Sequence, residues 1–358
     1  MATADWTFQA QTRATTTAPS LALASLTDLY ERQVDLFINQ PGAVTAKLDL
    51  FSPQASRNWL TPGVHELLAL RADANGDNEA VETVFQLATA KILPDQLQGG
   101  VLDLSWLGIL SYLSDNVVGP AYTSTGATDR VQWNVISTIQ AKANADFGIT
   151  DGTHTAGQPS KTLTVDSEKD GKAAINDVSE RENGNDFRIN VDRQFETWYP
   201  FRGTDKSETL VLQHEGNCFI SEIPEDASPG SIVNYVKVKG GDSNFATAQS
   251  TASQLTYGRR EAIVSYSETG LTSTILQQYA NAIVAARARP TVVPTVVLDT
   301  SHESFIFGDA WLGDTIRLRG DIGAGPYITF DGDYRVVAVH IKLSDENDEE
   351  VSLELNPA

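Results

Sequence analysis

Trp311-Leu312-Gly313-Asp314-Thr315-Ile316-Arg317-Leu318 lies in the stretch that decides the fold, residues 305–355. After a loop comes Asp333-Tyr334-Arg335-Val336-Val337-Ala338-Val339-His340-Ile341-Lys342-Leu343. A polar tip runs from Ser344 to Glu350, and Val351-Ser352-Leu353-Glu354-Leu355 closes the stretch. Ile316 and Leu318 alternate with Arg317 and Arg319. Val337, Val339, Ile341 and Leu343 share one face, and Val351, Leu353 and Leu355 repeat the period of two. Gly313-Asp314 and Asp331-Gly332-Asp333 are expected to be the turns between the strands. The pattern describes an antiparallel meander with one buried and one wet face, and it carries no visible chemistry.

Outward from this meander, β patterning fills most of the chain. Leu29, Val34, Leu36 and Ile38 lead to the turn Asn39-Gln40-Pro41-Gly42, and Val44, Leu48 and Leu50 resume beyond it. Val64 to Arg71, Leu102 to Leu107 and Ile109 to Leu113 read as further strands, close enough in sequence for a small barrel or sandwich. The period changes at Thr128. Val135, Ile136, Ile139, Ala143 and Phe147 mark an amphipathic helix capped by Thr128 or Asp129 and stopped by Gly148. A second helix is expected over 169–182, with Ile175 and Val178 inward, and a strand over Phe187 to Val191. Strands return at Leu210 to Leu212 and Val233 to Val238, followed by a helix over 272–289 that Pro290 ends. The expected organisation is a flexible N-terminal arm (1–25), a first β-barrel domain (26–127), an α/β middle domain (128–205) and a second β-barrel domain with one helix (206–358).

The 358 residues carry 26 Lys+Arg against 47 Asp+Glu, a net charge of −21. No basic footprint for nucleic acid is present, and anionic membrane is disfavoured by the same sign. Cys218 is the sole cysteine. This excludes an internal disulfide and a cysteine zinc site, and it reads as a small buried apolar residue. No run approaches the roughly 18 apolar residues of a membrane span, and residues 1–25 lack the pattern of a signal peptide.

Candidate chemistry is sparse. Asp73-Ala74-Asn75-Gly76-Asp77-Asn78-Glu79 begins like a calcium loop. However, the sixth and twelfth places hold Asn78 and Val84 instead of glycine and glutamate, so a strand turn is the better reading. His65, His154, His214, His302 and His340 show no metalloprotease spacing. There is no Gly-x-Ser-x-Gly elbow and no phosphate-cradling Gly-x-x-x-x-Gly-Lys. Carboxylates are too numerous for any one glycosidase pair to be selected. The tryptophans (Trp6, Trp59, Trp106, Trp133, Trp198 and Trp311) are scattered, which suits core and interface roles better than sugar stacking. No catalytic, cofactor-binding or metal residue is singled out.

In the order of its elements the chain resembles the tail-hub (baseplate hub, tail-tip minor tail) proteins of long-tailed, non-contractile bacteriophages. Phe37-Ile38-Asn39-Gln40-Pro41-Gly42 looks like their first hairpin and Gly63 to Arg71 like their second. Gln132 to Gly148 looks like the helix of their middle domain. Asn234-Tyr235-Val236-Lys237-Val238-Lys239-Gly240 looks like the strand that reopens their second β domain. Tyr257-Gly258-Arg259-Arg260-Glu261 with the following helix, Leu312 to Ile316, and Tyr334-Arg335-Val336 are similar too. The resemblance covers about residues 26–355 and implies two small tube-type β barrels joined by α/β elements. It further implies a homotrimer whose barrels form a six-part ring lining the DNA exit channel at the tail tip of the virion, assembled in the host cytoplasm. The implied neighbours are a tail-tube or distal tail protein, a tape-measure protein, and tip or receptor-binding proteins, with viral DNA passing through without specific binding. An acidic lumen that repels DNA is the expectation from the charge. Because the meander runs up to Ala358, no lytic domain is expected from this chain. A carbohydrate- or receptor-binding tail module and a cell-wall glycan hydrolase are the alternatives.

Overall fold

The computed structural model describes residues 5–72, 78–94, 99–165, 168–222, 225–226, 228, 230–268, 270–292, 294–302, 304–322, 328–345 and 348–358. The N-terminal part supplies β1 (Trp6–Thr12), β2 (Ala22–Ser25), β3 (Tyr30–Phe37), β4 (Ala43–Asp49), β5 (His65–Ala72), β6 (Asn78–Ala80), β7 (Phe85–Leu93) and β8 (Val101–Gly108). Alternation builds β3, β4 and β8. Val34 and Leu36 of β3, Val44, Ala46 and Leu48 of β4, and Leu102, Leu104 and Trp106 of β8 all point inward. The segment expected to be a flexible arm instead belongs to the sheet. Trp6, Phe8 and Ala10 are buried, and β1 pairs with β5 from Trp6–Arg71 to Thr12–His65. The stretch Ile109–Leu113, expected as a strand, is a 3₁₀ helix. It buries Ile109, Leu110, Tyr112 and Leu113, a spacing that a period of two cannot place on one side.

The middle part contains β9 (Val117–Val118), β10 (Tyr122–Ala127), α1 (Thr128–Gln140), β11 (Thr150–His154), β12 (Ser160–Val165), β13 (Lys169–Asp170), α2 (Gly171–Ser179), β14 (Asp186–Ile189) and β15 (Gln194–Trp198). Val131, Val135, Ile136 and Ile139 of α1 meet Ala174, Ile175 and Val178 of α2 in a separate core. That core already includes Ile109 to Val118, so it starts before residue 128. Helix α1 stops at Gln140 because that side chain fastens the returning chain. Its Nε2 donates to the Ile149 carbonyl at 2.8 Å and its Oε1 accepts from the Ile149 N–H at 2.8 Å. Neither expected residue caps α1. Ala127 is its N-cap residue, and the Thr128 hydroxyl donates to the Pro159 carbonyl at 2.9 Å. The α2 cap is conventional, with the Asp170 carboxylate accepting from the Ala173 N–H at 2.7 Å.

The C-terminal part supplies β16 (Val211–Gln213), β17 (Cys218–Glu222), β18 (Glu225–Asp226), β19 (Tyr235–Lys239), β20 (Phe245–Gln249), α3 (Thr251–Tyr257), β21 (Glu261–Ser265), α4 (Ser273–Arg287), β22 (Thr291–Val292), β23 (Thr295–Leu298), β24 (Thr315–Ile322), β25 (Ile328–Leu343) and β26 (Glu349–Pro357). The helix expected over 272–289 is α4, capped by Thr272. It does not pack on the second β region. Together with β19–β21 and α3 it forms an inserted module whose core is Val236, Val238, Ala246, Leu276 and Tyr279. The short α3 escaped the sequence pattern because Ser253 is the one residue it buries.

The expected architecture was two separate β barrels. The described residues instead form one fourteen-stranded sheet with the path β17-β23-β26-β25-β3-β4-β8-β7-β5-β1-β2, and β6, β16 and β24 branch from it. Among them no ladder closes a barrel. Strand β25 makes the sheet continuous. Asp331, Gly332 and Asp333, expected to form a turn, lie inside it, with Asp331 opposite Arg319 and Asp333 opposite Arg317. Arg317 and Arg319 both reach the Asp331 carboxylate, at 2.6 and 3.1 Å, which lets a turn-forming triplet sit in an extended strand. A register shift at Val336/Ala338 then bends β25. Its first half pairs with β24. Its second half pairs with β3, from Ala338–Phe37 to Leu343–Arg32. Val34, Leu36, Val339, Ile341, Leu353 and Leu355 therefore share one core. The path β16-β24-β25-β26-β23-β17 turns back on itself, with a single bridge, His214–Cys218, between its two ends.

Candidate functional site

Where the three parts meet, the sequence places buried charge. Glu82 lies between β6 and β7 with a positive φ of 57°, and its side chain is 7% exposed. Arg188 of β14 donates to it at 2.7 Å and Arg202 at 2.6 Å, while the Trp311 indole N–H also donates to it. Burial alone would raise this carboxyl, but the Arg202 and Arg188 guanidiniums outweigh burial and hold it at about 2. Arg188 also donates to Glu196 at 2.7 Å. Beside this group, Asp186 accepts from Asn39 at 3.2 Å, from the Arg202 N–H at 2.6 Å and from the Arg335 guanidinium. Asn39 returns a bond to the backbone, accepting from the Phe187 N–H at 2.7 Å. The cleft above is lined by Phe37, Pro41, Glu82, Arg188, Arg202 and Leu312. Each of these side chains is tied to a partner in another part of the chain, which describes a staple.

A second staple joins β5 to the middle part. Buried Glu66 accepts from the Tyr112 hydroxyl at 2.9 Å and from Arg193, whose other nitrogen donates to the Phe147 carbonyl at 2.8 Å. Here burial dominates, so the Glu66 carboxyl is raised despite Arg193, and the Tyr112 hydroxyl is raised as well. A third staple ties the inserted module to the middle part, with Lys169 between Asp177 at 2.8 Å and Glu268 at 3.3 Å.

The histidines take packing and bridging roles. His340 of β25 sits between Asp35 of β3 at 2.6 Å and Glu354 of β26 at 3.1 Å, across the seam that joins the two ends of the chain. The hydrogen bond to Asp35 raises its pKa. A raised imidazole contributes stability that is fully present below its unfolded value and lost as pH rises through the folded one. Unfolding free energies measured from slightly acidic to alkaline pH should therefore fall further for the wild type than for His340→Gln. Parallel curves would remove the clasp. His154 accounts for the arrangement nearest to catalysis. Its ring contacts Asp151 at 2.7 Å and the Thr197 hydroxyl at 2.9 Å, the order of a nucleophile–base–acid triad. Thr197, however, is fully buried in β15 and also accepts from Gln158 at 3.0 Å, so no substrate reaches the hydroxyl. The sequence hid this set because its members are brought together by β11–β15 pairing. His65 and His214 each accept a backbone N–H, from Thr61 and Ile220, and His302 sits in a loop beside Ser304. The Asp73–Asp77 turn lies outside the described residues. Cys218 is buried and its thiol is pushed up to about 12, the inert apolar role expected of it. Trp6 and Trp106 lie in the core, while Trp198 is covered by Arg188 and Arg202. Among the described residues no helix is long and apolar enough to cross a membrane.

No protein-family model matches the sequence, and no curated protein matches it. Solved structures do match. A tail protein from Neisseria meningitidis superposes with a TM-score of 0.59 over 98% of this chain and 96% of its own, at 13% identity. The 43 kDa tail protein of prophage MuSo2 from Shewanella oneidensis gives 0.57 over 98% and 97%, at 9% identity. Prophage tail protein gp18 from Listeria monocytogenes gives 0.52 over 97% and 94%, at 13% identity. The chain has the fold of phage tail proteins. Coverage is nearly end to end in both directions, so the tail-protein fold takes in the inserted module and the middle part as well as the sheet. At such low identity the likeness is one of fold.

Proposed function

We propose that this chain is a structural subunit of a phage tail tip: a hub that assembles as a homotrimeric ring, links the tail tube to the tip and lines the channel through which DNA leaves. One observation carries this most directly: tail proteins match the chain along almost its full length. The ionic staples support it, because they lock two β-rich parts and two α/β parts into one rigid unit. Each β-rich part would act as a barrel-type module of the ring. The burial of Thr197 supports a role without bond breaking. Distal tail, tape-measure and tip or receptor-binding proteins would be its neighbours, and the net charge of −21 would repel DNA sliding past it. Quantitative mass spectrometry of purified particles tests the reading: three copies per particle, mapped to the tip by microscopy, is the expected result. Copy numbers in the hundreds, as for a tube subunit, or absence from particles would overturn it.

A further inference from the structure

The inserted module presents a sheet face that nothing covers among the described residues. Its inner face, Val236, Val238 and Ala246, is buried under Leu276 and Tyr279 of α4. Its outer face is a grid set by the register: Phe245–Lys239–Ser265, Thr247–Lys237–Ile263 and Gln249–Tyr235–Glu261. Ile263 is 66% exposed and Phe245 55%, and Leu255 on the adjoining α3 is 85% exposed. The Lys237 ammonium lies 4.1 Å above the Phe245 ring, and the Arg259 guanidinium lies 4.0 Å above Tyr235. The one carboxylate in the grid, Glu261, is already paired with Arg259. From Ser243 to Arg260 the sequence has no Asp or Glu at all.

A basic, apolar face on a molecule of charge −21 has an electrostatic complement close at hand, the acidic surface of another copy. We propose that the outer face of β19–β21 docks a second copy of this chain through carboxylates set against Lys237 and Lys239 around an apolar centre at Ile263 and Phe245. The proposal rests on the ring-forming role above and names one of its joints. The contact is head to tail, because the basic face of one copy meets a different, acidic surface of the next, and such contacts generate a ring when the rotation between copies closes. Strand spacing gives the grid roughly 250 Å², about a third of one side of a standard interface. Its loss should therefore weaken association without abolishing it.

The test is sedimentation of the purified full-length chain across a concentration series up to about 0.5 mM. Wild type is compared with Lys237→Glu, at a half-buried position, and, separately, Ile263→Glu, at an exposed one, with the folding of each checked by melting temperature. The expected result is self-association weakened about 10–100-fold by each substitution, and weakened in the wild type when salt is raised about tenfold. Equal association of wild type and both variants overturns this joint while leaving the ring intact, since the ring is judged separately by copy number in particles. A wild type that stays monomeric throughout overturns the proposal, as does one that captures a single-stranded oligonucleotide through Lys237 without self-associating.

Discussion

Glu82→Ala is expected to cost about 3–5 kcal/mol of stability, among the largest losses from any single substitution in this chain. It leaves the Arg188 and Arg202 guanidiniums and the Trp311 indole N–H facing a cavity instead of a carboxylate. Arg188 retains Glu196, but among the described residues the Arg202 side chain has no carboxylate partner other than Glu82. Chemical denaturation reads the loss, and hydrogen exchange should place it in β14, Arg202 and Trp311 first. The same carboxylate sets a pH signature. With a native value of about 2 against an ordinary value near 4.3, its contribution is present above the unfolded value and disappears as pH falls from about 5 towards 2. About 3 kcal/mol is lost across that window. The Ala variant should lack this acid limb. A Glu82 variant as stable as wild type at neutral pH would mean that the staple contributes nothing net.

Gly203→Ala is the second large effect, at about 3–5 kcal/mol. Gly203 and Gly313 come from distant parts of the chain and touch backbone to backbone, each with a φ of +91°. A Cβ on Gly203 would stand 2.2 Å from the Gly313 carbonyl carbon, and one on Gly313 would stand 2.4 Å from the Arg202 oxygen. Side chains rarely adopt that backbone region, and here there is also no space. Gly63 provides the control. Its φ is +73°, yet nothing lies within 4 Å of the Cβ it lacks, so Gly63→Ala should cost only about 1 kcal/mol of backbone strain. Thermal melts of the two variants separate steric exclusion from dihedral strain. Equal losses would show that the close approach is unimportant.

The meander was legible because Val339, Ile341, Leu353 and Leu355 report their burial in a period of two. Helices α2 and α4 announced themselves through apolar spacing and through Pro290. Local patterns failed where partners are remote. Trp6, Phe8 and Ala10 are polar-flanked and few, and their strand exists because β5 is there to pair with it. Asp331-Gly332-Asp333 has turn composition, but Arg317 and Arg319 across the ladder hold it straight. The seam between β3 and β25 joins residues about three hundred positions apart, so no window of sequence shows that the two β regions share a core. The staples were invisible for a related reason. Glu82 is one carboxylate among 47 Asp+Glu, and only the fold picks out the one that faces two guanidiniums.

The bend in β25 has a consequence for how the chain is made. On the ribosome, β3 emerges early with Val34 and Leu36 ready for the core, and β4 can cover one of its edges at once. The other edge waits for residues 338–343. At the usual pace of synthesis that wait lasts roughly 15–60 s. During it the nascent N-terminal half carries an open, hydrogen-bond-hungry strand that any neighbouring polypeptide could fill. Residues 338–343 thus act as a late-arriving chaperone for β3, and chains truncated before Ala338 should aggregate on release where the released full-length chain does not.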